Sequence, residues 1–112
     1  MPVRPIVIAV SSWSLHRTIG QAVGAAPGGT DPGKPAWGPG TLSVLDLPAA
    51  VARHGIRRLQ LCHFHVARRD KAWFGEFRAA LADAGVTLQT LLIDEGDISH
   101  PVDHREHVAW TA

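Results

Sequence analysis

The stretch GIRRLQLCHFH, residues 55–65, decides the fold of this chain. Gly55 is a typical helix-ending residue, the run 56–62 that follows is short and rich in apolar residues, and polar histidines stand where the run ends. A similar helix-ending glycine and apolar run begin at residues 85–86, about one strand–helix unit further along. Strands that alternate with helices favour a parallel sheet with right-handed crossovers. We therefore expect an α/β fold.

Three strands and three helices follow from this pattern. The strands are predicted over residues 6–10, 56–62 and 86–93: the first and third runs are short and nearly continuous in apolar residues, and the second lies between the Gly55 stop and the histidines. The helix starts are predicted from capping residues at Ser43 with Asp46, at Asp70, and at Asp103 with Glu106. The helix stops are predicted at Gly55 and Gly85. In the middle helix, the apolar stripe is predicted to consist of Phe74, Phe77 and Leu81.

Residues 20–40 differ in composition from the rest of the chain. They hold seven of the eleven glycines and four of the eight prolines. Such a segment buries too little apolar surface to offset its ordering entropy. We predict that residues 20–40 are a long mobile loop inserted into a single partial domain that spans residues 1–112.

Composition excludes several classes of protein. The formal net charge of the 112 residues is +1, which is not the basic surface of a nucleic-acid-binding domain. No stretch approaches the roughly 20 apolar residues of a membrane span, so neither nucleic acid nor membrane is expected as a partner. The single cysteine, Cys62, permits no internal disulfide and fits a reducing compartment. The predicted location is the cytoplasm.

Residues suited to chemistry follow each predicted strand. The candidates are Trp13 and His16 after the first strand, His63 and His65 after the second, and Asp94 and Asp97 after the third. The carboxyl ends of parallel strands share one edge, where ligands bind in such folds. Imidazoles and carboxylates suit metal binding, proton transfer, or hydrogen bonding to hydroxyl-rich ligands. The same residue types also occur as solvated polar groups, turns and packing aromatics, so the pattern alone leaves both interpretations open.

These segments resemble a known family. SSWSLHR (residues 11–17), LCHFH (61–65) and LIDEGDI (92–98) are similar to the first three strand ends of sugar phosphate isomerase/epimerase proteins, which are xylose isomerase-like TIM barrels. The helix end LADAGV (81–86) is similar too. The resemblance implies a (β/α)8 barrel with its site at the carboxyl rim. It also implies a divalent metal (Mn, Mg, Co or Zn) held by later strands and proton transfer beside a sugar carbonyl.

The chain is short for that fold. Such a barrel needs roughly 250 residues, so we expect about the first three βα units of a barrel, open and incomplete. The resemblance then carries over substrate-lining positions only: the six candidates above would contact a sugar or sugar phosphate, and no catalytic residue is assigned. We expect the chain alone to hold no metal properly, to be inactive, and to associate with itself or with a complementing C-terminal chain, because its exposed inward sheet face is predicted to be mostly apolar.

Two other functions stay open at this point. One is a non-enzymatic module that binds a metal or a partner through a histidine-rich rim. The other is a relative of apurinic-site endonucleases from the same superfamily, which ranks lower because the third strand ends in Asp94, where that family has a histidine ligand, and because the net charge is nearly neutral.

Overall fold

A computed structural model describes residues 2–20, 40–66, 68–93 and 98–112. Within these ranges the chain forms three strands and four helices. They are β1 (Val10–Ser11), α1 (His16–Ile19), α2 (Leu47–Ala52), β2 (Arg58–Cys62), α3 (Lys71–Ala84), β3 (Thr87–Leu92) and α4 (His104–Thr111). Two 3-10 turns, Ser12–Leu15 and His63–His65, follow β1 and β2 directly. None of the described helices has the length and apolar character needed to cross a membrane.

The strands form one small parallel sheet in the order β1-β2-β3. Leu59 pairs with Val10 on one side and Leu88 on the other, and Leu61 pairs with Leu91. An irregularity in the β2–β3 register next to Leu59 leaves one β3 residue without an opposing partner. The predicted α/β class with parallel strands is confirmed, and the sheet is open.

The first strand is much shorter than predicted. Residues 6–9 lie outside β1, and the Ile6 side chain is 91% exposed. A β-branched apolar run favours a buried strand only when a neighbouring strand and a covering layer are both available. Here β1 meets β2 at two positions only, so the prediction of a strand over residues 6–10 was wrong for most of its length.

The core lies between β2 and the helices α2 and α3. Its buried apolar residues are Val44, Leu47, Val51, Leu59, Leu61, Val66, Trp73, Phe77 and Val86. Leu59 and Leu61 point to this side because both belong to the core and side chains alternate along a strand. β2 is therefore the central strand in packing as well as in pairing order.

The opposite face of the sheet is more polar than expected. By alternation and register it carries Ser11, Gln60, Cys62, Thr90 and Leu92. The expected apolar inward face was therefore wrong in most positions. The large apolar side chains of β3 that are exposed, Leu88 and Leu91, lie instead on the side of the helices.

The two glycine stops and one helix cap are confirmed. Gly55 and Gly85 have φ of 75° and 64°, in the left-handed region that favours glycine. Asp70 caps α3, since its carboxylate accepts a hydrogen bond from the Trp73 N–H at 2.9 Å. That hydrogen bond is the main reason why the pKa of Asp70 lies below its usual value.

The aromatic stripe of α3 differs from the predicted one. Trp73 and Phe77 are buried and their rings stack at 5.5 Å, whereas Phe74 is 45% exposed. Residues 73 and 77 share a helix face at i and i+4, and residue 74 lies about 100° further round. Because residues 73 and 74 are both aromatic, sequence periodicity could not show which of the two faces the core.

The other two predicted caps form differently. Ser43 Oγ accepts from the Leu45 N–H at 3.1 Å, and α2 begins at Leu47 without a side-chain cap from Asp46. Before α4, the ring nitrogen Nδ1 of His100 accepts from the Asp103 N–H at 2.9 Å. Asp103 makes no side-chain cap, so the backbone N–H before α4 is bound by an imidazole where a carboxylate was expected.

The segment predicted as a mobile loop falls almost entirely outside the described residues. Its two ends are described and lie side by side. The Thr41 and Leu42 N–H groups both donate to the Thr18 carbonyl, at 2.7 and 3.0 Å. A Cβ added to Gly40 would overlap the Ile19 carbonyl, so this close approach requires glycine. We call this junction the neck.

Candidate functional site

The carboxyl ends of β1 and β2 bring three of the predicted site residues together. The 3-10 turns after these strands place the Trp13 ring centroid 5.9 Å from that of His16 and 5.9 Å from that of His65, both edge-on. Phe64 contacts Trp13 from the same turn as His65, at 5.7 Å. Trp13 is therefore the centre of this group, which we call the β1–β2 edge site.

A residue that the sequence did not single out holds the site together. Ser12 is fully buried, and its Oγ accepts a hydrogen bond from the Cys62 N–H at 2.8 Å. The same Oγ lies 2.8 Å from Nδ1 of His65. Ser12 thus joins the end of β1 to the end of β2. The sequence could not reveal this role, because the two partners of Ser12 lie 50 and 53 residues away in the chain. A serine beside a strand end is also a common pattern.

The tautomer of His65 follows from these two hydrogen bonds. A hydroxyl has one proton to give, and within the described residues the only acceptor hydrogen-bonded to Ser12 Oγ is His65 Nδ1. We therefore assign the Ser12 O–H as the donor and Nδ1 as the acceptor. The proton of a neutral His65 ring must then be on Nε2. His65 presents an N–H donor.

Burial keeps the His65 ring neutral. The side chain is fully buried, and loss of hydration, followed by the nearby His16 and His63, lowers its pKa from 6.5 to about 4. Nε2 has no hydrogen-bond partner in the described part of the chain. A buried N–H without an acceptor costs about 1–3 kcal/mol, a cost that an acceptor atom of a ligand would remove.

His16 has the opposite tautomer. Its Nδ1 lies 2.8 Å from the carbonyl oxygen of Trp13, which can only accept, so Nδ1 carries the proton. In the neutral ring, Nε2 of His16 is then the acceptor nitrogen. The two imidazoles that contact Trp13 therefore differ in tautomer: the proton is on Nε2 in His65 and on Nδ1 in the neutral ring of His16.

The His63 ring faces other elements, although it stands only two residues before His65. It lies tilted against Phe64 at 4.0 Å and meets the edge of Trp110 in α4 at 5.3 Å. His63 also lines a groove between α3, β3 and α4. The 3-10 turn points the two imidazoles to different elements, so they do not act as a chelating pair.

Asp94 and Asp97 lie outside the described residues, and their predicted role stays a prediction. Within the described ranges, no three His, Cys, Asp or Glu side chains lie close enough together to hold a metal ion. The described residues therefore do not fit the divalent metal that the family resemblance implies, and we derive no step through one.

The chemistry available at the β1–β2 edge site is hydrogen bonding beside an aromatic surface. His65 has a buried N–H donor, the neutral ring of His16 has an acceptor nitrogen, and both rings meet the half-buried indole of Trp13. This combination suits a ligand that carries hydroxyl or carbonyl oxygens next to an apolar face. Comparisons of the chain with models of protein families, with curated proteins and with solved structures found no match.

Proposed function

We propose that the β1–β2 edge site binds a sugar or sugar phosphate and that these units form part of a sugar phosphate isomerase/epimerase-like (β/α) barrel. The resemblance of residues 11–17 and 61–65 to that family supports the proposal. So does the order of the sheet, since strands that are consecutive in the chain are neighbours in it, as in a barrel wall.

One observation carries the proposal: beside Trp13, the buried Nε2 of His65 has no hydrogen-bond partner in the described part of the chain. A sugar hydroxyl both donates and accepts, so once the site opens to admit it, it can accept from the buried Nε2–H of His65. The apolar C–H face of a sugar ring can lie on the indole. A site built to hydrogen-bond oxygens rejects analogues that lack them, because the buried polar groups are then left without partners.

The role proposed for these units is binding and orientation of the substrate. Isomerisation beside a carbonyl needs a group that removes a proton and a group that stabilises the oxygen that becomes negatively charged. His65 stays neutral above pH 4 and presents a donor, so it suits an oxygen of the substrate rather than proton removal. The carboxylates and metal ligands of the family come from later strands, so we expect no turnover from residues 1–112 alone.

The test is a titration of the chain with fructose 6-phosphate, monitored by NMR of ¹⁵N-labelled histidine and tryptophan. We expect the His65 Nε2–H and the Trp13 indole N–H to shift, and we expect His65→Gln to weaken binding about tenfold. His54→Gln is the matched control, since His54 is exposed and precedes β2 at the opposite end of the sheet. Binding that is unchanged by His65→Gln, or shifts reproduced in full by inorganic phosphate, would contradict the proposal.

The alternative functions have less support. A metal-binding module needs a cluster of ligands, and the described residues provide none. An endonuclease relative needs a surface that attracts phosphates, and the net charge of the chain is only +1. Both remain proposals of lower rank, and a zinc titration in the same NMR experiment would detect the first.

A further inference from the structure

A concave surface lies on the helix side of the sheet, between α3, β3 and α4. It is an open groove of about 430 Å³ whose walls are mainly aromatic and aliphatic. The main wall residues are Trp73, Phe74, Phe77, Leu88, Leu91 and Trp110. The volume lies within the range of sites for small molecules, roughly 300–1,000 Å³.

The groove exposes apolar surface that the rest of the core hides. Phe74, Leu88 and Leu91 are 45%, 37% and 50% exposed, although they line the same groove as the buried Trp73 and Phe77. Exposed apolar surface that forms a continuous concave patch is unusual on a stable protein and marks a binding site. The apolar body of a ligand would cover these side chains.

The charged group of the groove is Arg69. Its guanidinium carbon lies 5.4 Å from the ring centroid of Trp110, which His63 also contacts. Among the described residues that line the groove there is no Asp or Glu. In the described part of the chain Arg69 forms no ion pair, whereas its neighbour Arg68 is paired with Asp70 at 2.6 Å. Arg69 therefore gives the described part of the groove a cation that an anion can meet.

We propose that this groove binds a small apolar carboxylate, such as a medium-chain fatty acid. The hydrocarbon part contacts Phe74, Leu88 and Leu91, and the carboxylate pairs with Arg69. A guanidinium can hold a carboxylate through two parallel N–H···O bonds, and the ring of Trp110 supports the guanidinium plane. This site is independent of the β1–β2 edge site and of the proposed sugar chemistry.

The test compares octanoate with octanol, each kept below the concentration at which it aggregates, by calorimetry on the full 112-residue chain. We expect octanoate to bind more tightly than octanol. Arg69→Gln should weaken octanoate binding about tenfold and leave octanol unchanged. Arg68→Gln is the matched control and should change neither, because Arg68 faces Asp70. Leu91→Trp, which reduces the groove volume, should weaken both ligands.

Two outcomes would overturn the proposal. Equal affinity for octanoate and octanol, or octanoate binding that survives Arg69→Gln, would show that the groove has no anion site. Sedimentation that gives a dimer which Leu91→Arg dissociates, together with no octanoate binding, would show that a second copy of the chain occupies the groove. Circular dichroism of each variant distinguishes lost binding from lost folding.

Discussion

The central strand and the edge strand of the sheet carry leucines in matched positions with opposite burial. Leu59 of β2 pairs with Leu88 of β3, and Leu61 pairs with Leu91. The two β2 side chains are 0% and 2% exposed, whereas their β3 partners are 37% and 50% exposed. Residue type and strand register are the same, so the covering layer causes the difference. Helices α2 and α3 cover β2, and α4 leaves part of β3 open.

This comparison shows what burial depends on in a small open sheet. An apolar strand contributes to the core only where a second layer meets it. A leucine in β2 therefore stabilises the fold, whereas a leucine at the paired position in β3 provides a contact surface. Three predictions test how far this distinction extends.

The largest expected effect is on stability. Leu59→Ala should lower the free energy of unfolding by about 3–4 kcal/mol, because it leaves a cavity in the closed part of the core. Leu88→Ala, its paired position, should cost about 1 kcal/mol or less, because the side chain is already partly in water. Urea denaturation of the two variants and the wild type measures both values. Equal losses would show that β3 is covered as well as β2.

Acid should destabilise the fold through His65, which lies in the 3-10 turn after β2. The pKa of His65 is about 4 in the folded chain and 6.5 when solvated. The unfolded chain therefore binds the proton first as the pH falls, and stability that is full above pH 6.5 is lost progressively down to about pH 4. The shift corresponds to on the order of 3 kcal/mol.

The measurement is the free energy of unfolding at the two ends of that pH range, for wild type, His65→Asn and His54→Asn. The dependence on pH should become much weaker in His65→Asn and persist in His54→Asn, whose side chain is exposed. Parallel curves for wild type and His65→Asn would mean that His65 is not held neutral by burial.

The smallest expected effect concerns the turns that lead into the two strands. Gly55 and Gly85 both have positive φ, and a Cβ at either position meets no atom closer than 3.9 Å. Gly55→Ala and Gly85→Ala should therefore each cost about 1–2 kcal/mol through backbone strain alone. Gly75→Ala, inside α3 and also without a close neighbour, should instead stabilise by up to about 1 kcal/mol.

Equal losses in Gly55→Ala and Gly85→Ala would show that the two turns are equivalent, so that β2 and β3 differ only in their covering layer. A loss confined to Gly55→Ala would instead indicate that β3 can detach from its turn without cost.

The sequence predicted the elements that depend on local signals. The glycine stops, the Asp70 cap and the alternation of strands with helices each rest on a few neighbouring residues, and all were confirmed. Two local predictions, the side-chain caps at Asp46 and Asp103, were wrong. The other errors concern long-range packing. Residues 6–9 are apolar but pair with no strand in the described part of the chain. Whether Trp73 or Phe74 is buried depends on how α3 is rotated against the sheet.

The candidate site was predictable in position but not in chemistry. Strand ends in a parallel sheet had to meet, so Trp13, His16 and His65 could be named from the sequence. The direction of each imidazole depends on contacts that no local pattern encodes: Ser12 for His65, the Trp13 carbonyl for His16, and Trp110 for His63. Those contacts assign a donor and an acceptor to residues that the sequence could only list together.

The neck gives the chain a site for engineering. Since Gly40 packs against the Ile19 carbonyl, and Thr41 and Leu42 bond to Thr18, the segment numbered 21–39 leaves and rejoins the body at adjacent points. The entropy of closing a chain between two adjacent points grows only slowly with its length. Peptides or whole domains whose own termini lie close together can therefore be grafted between Gly20 and Gly40. The stability of the host should depend only weakly on the length of the inserted chain.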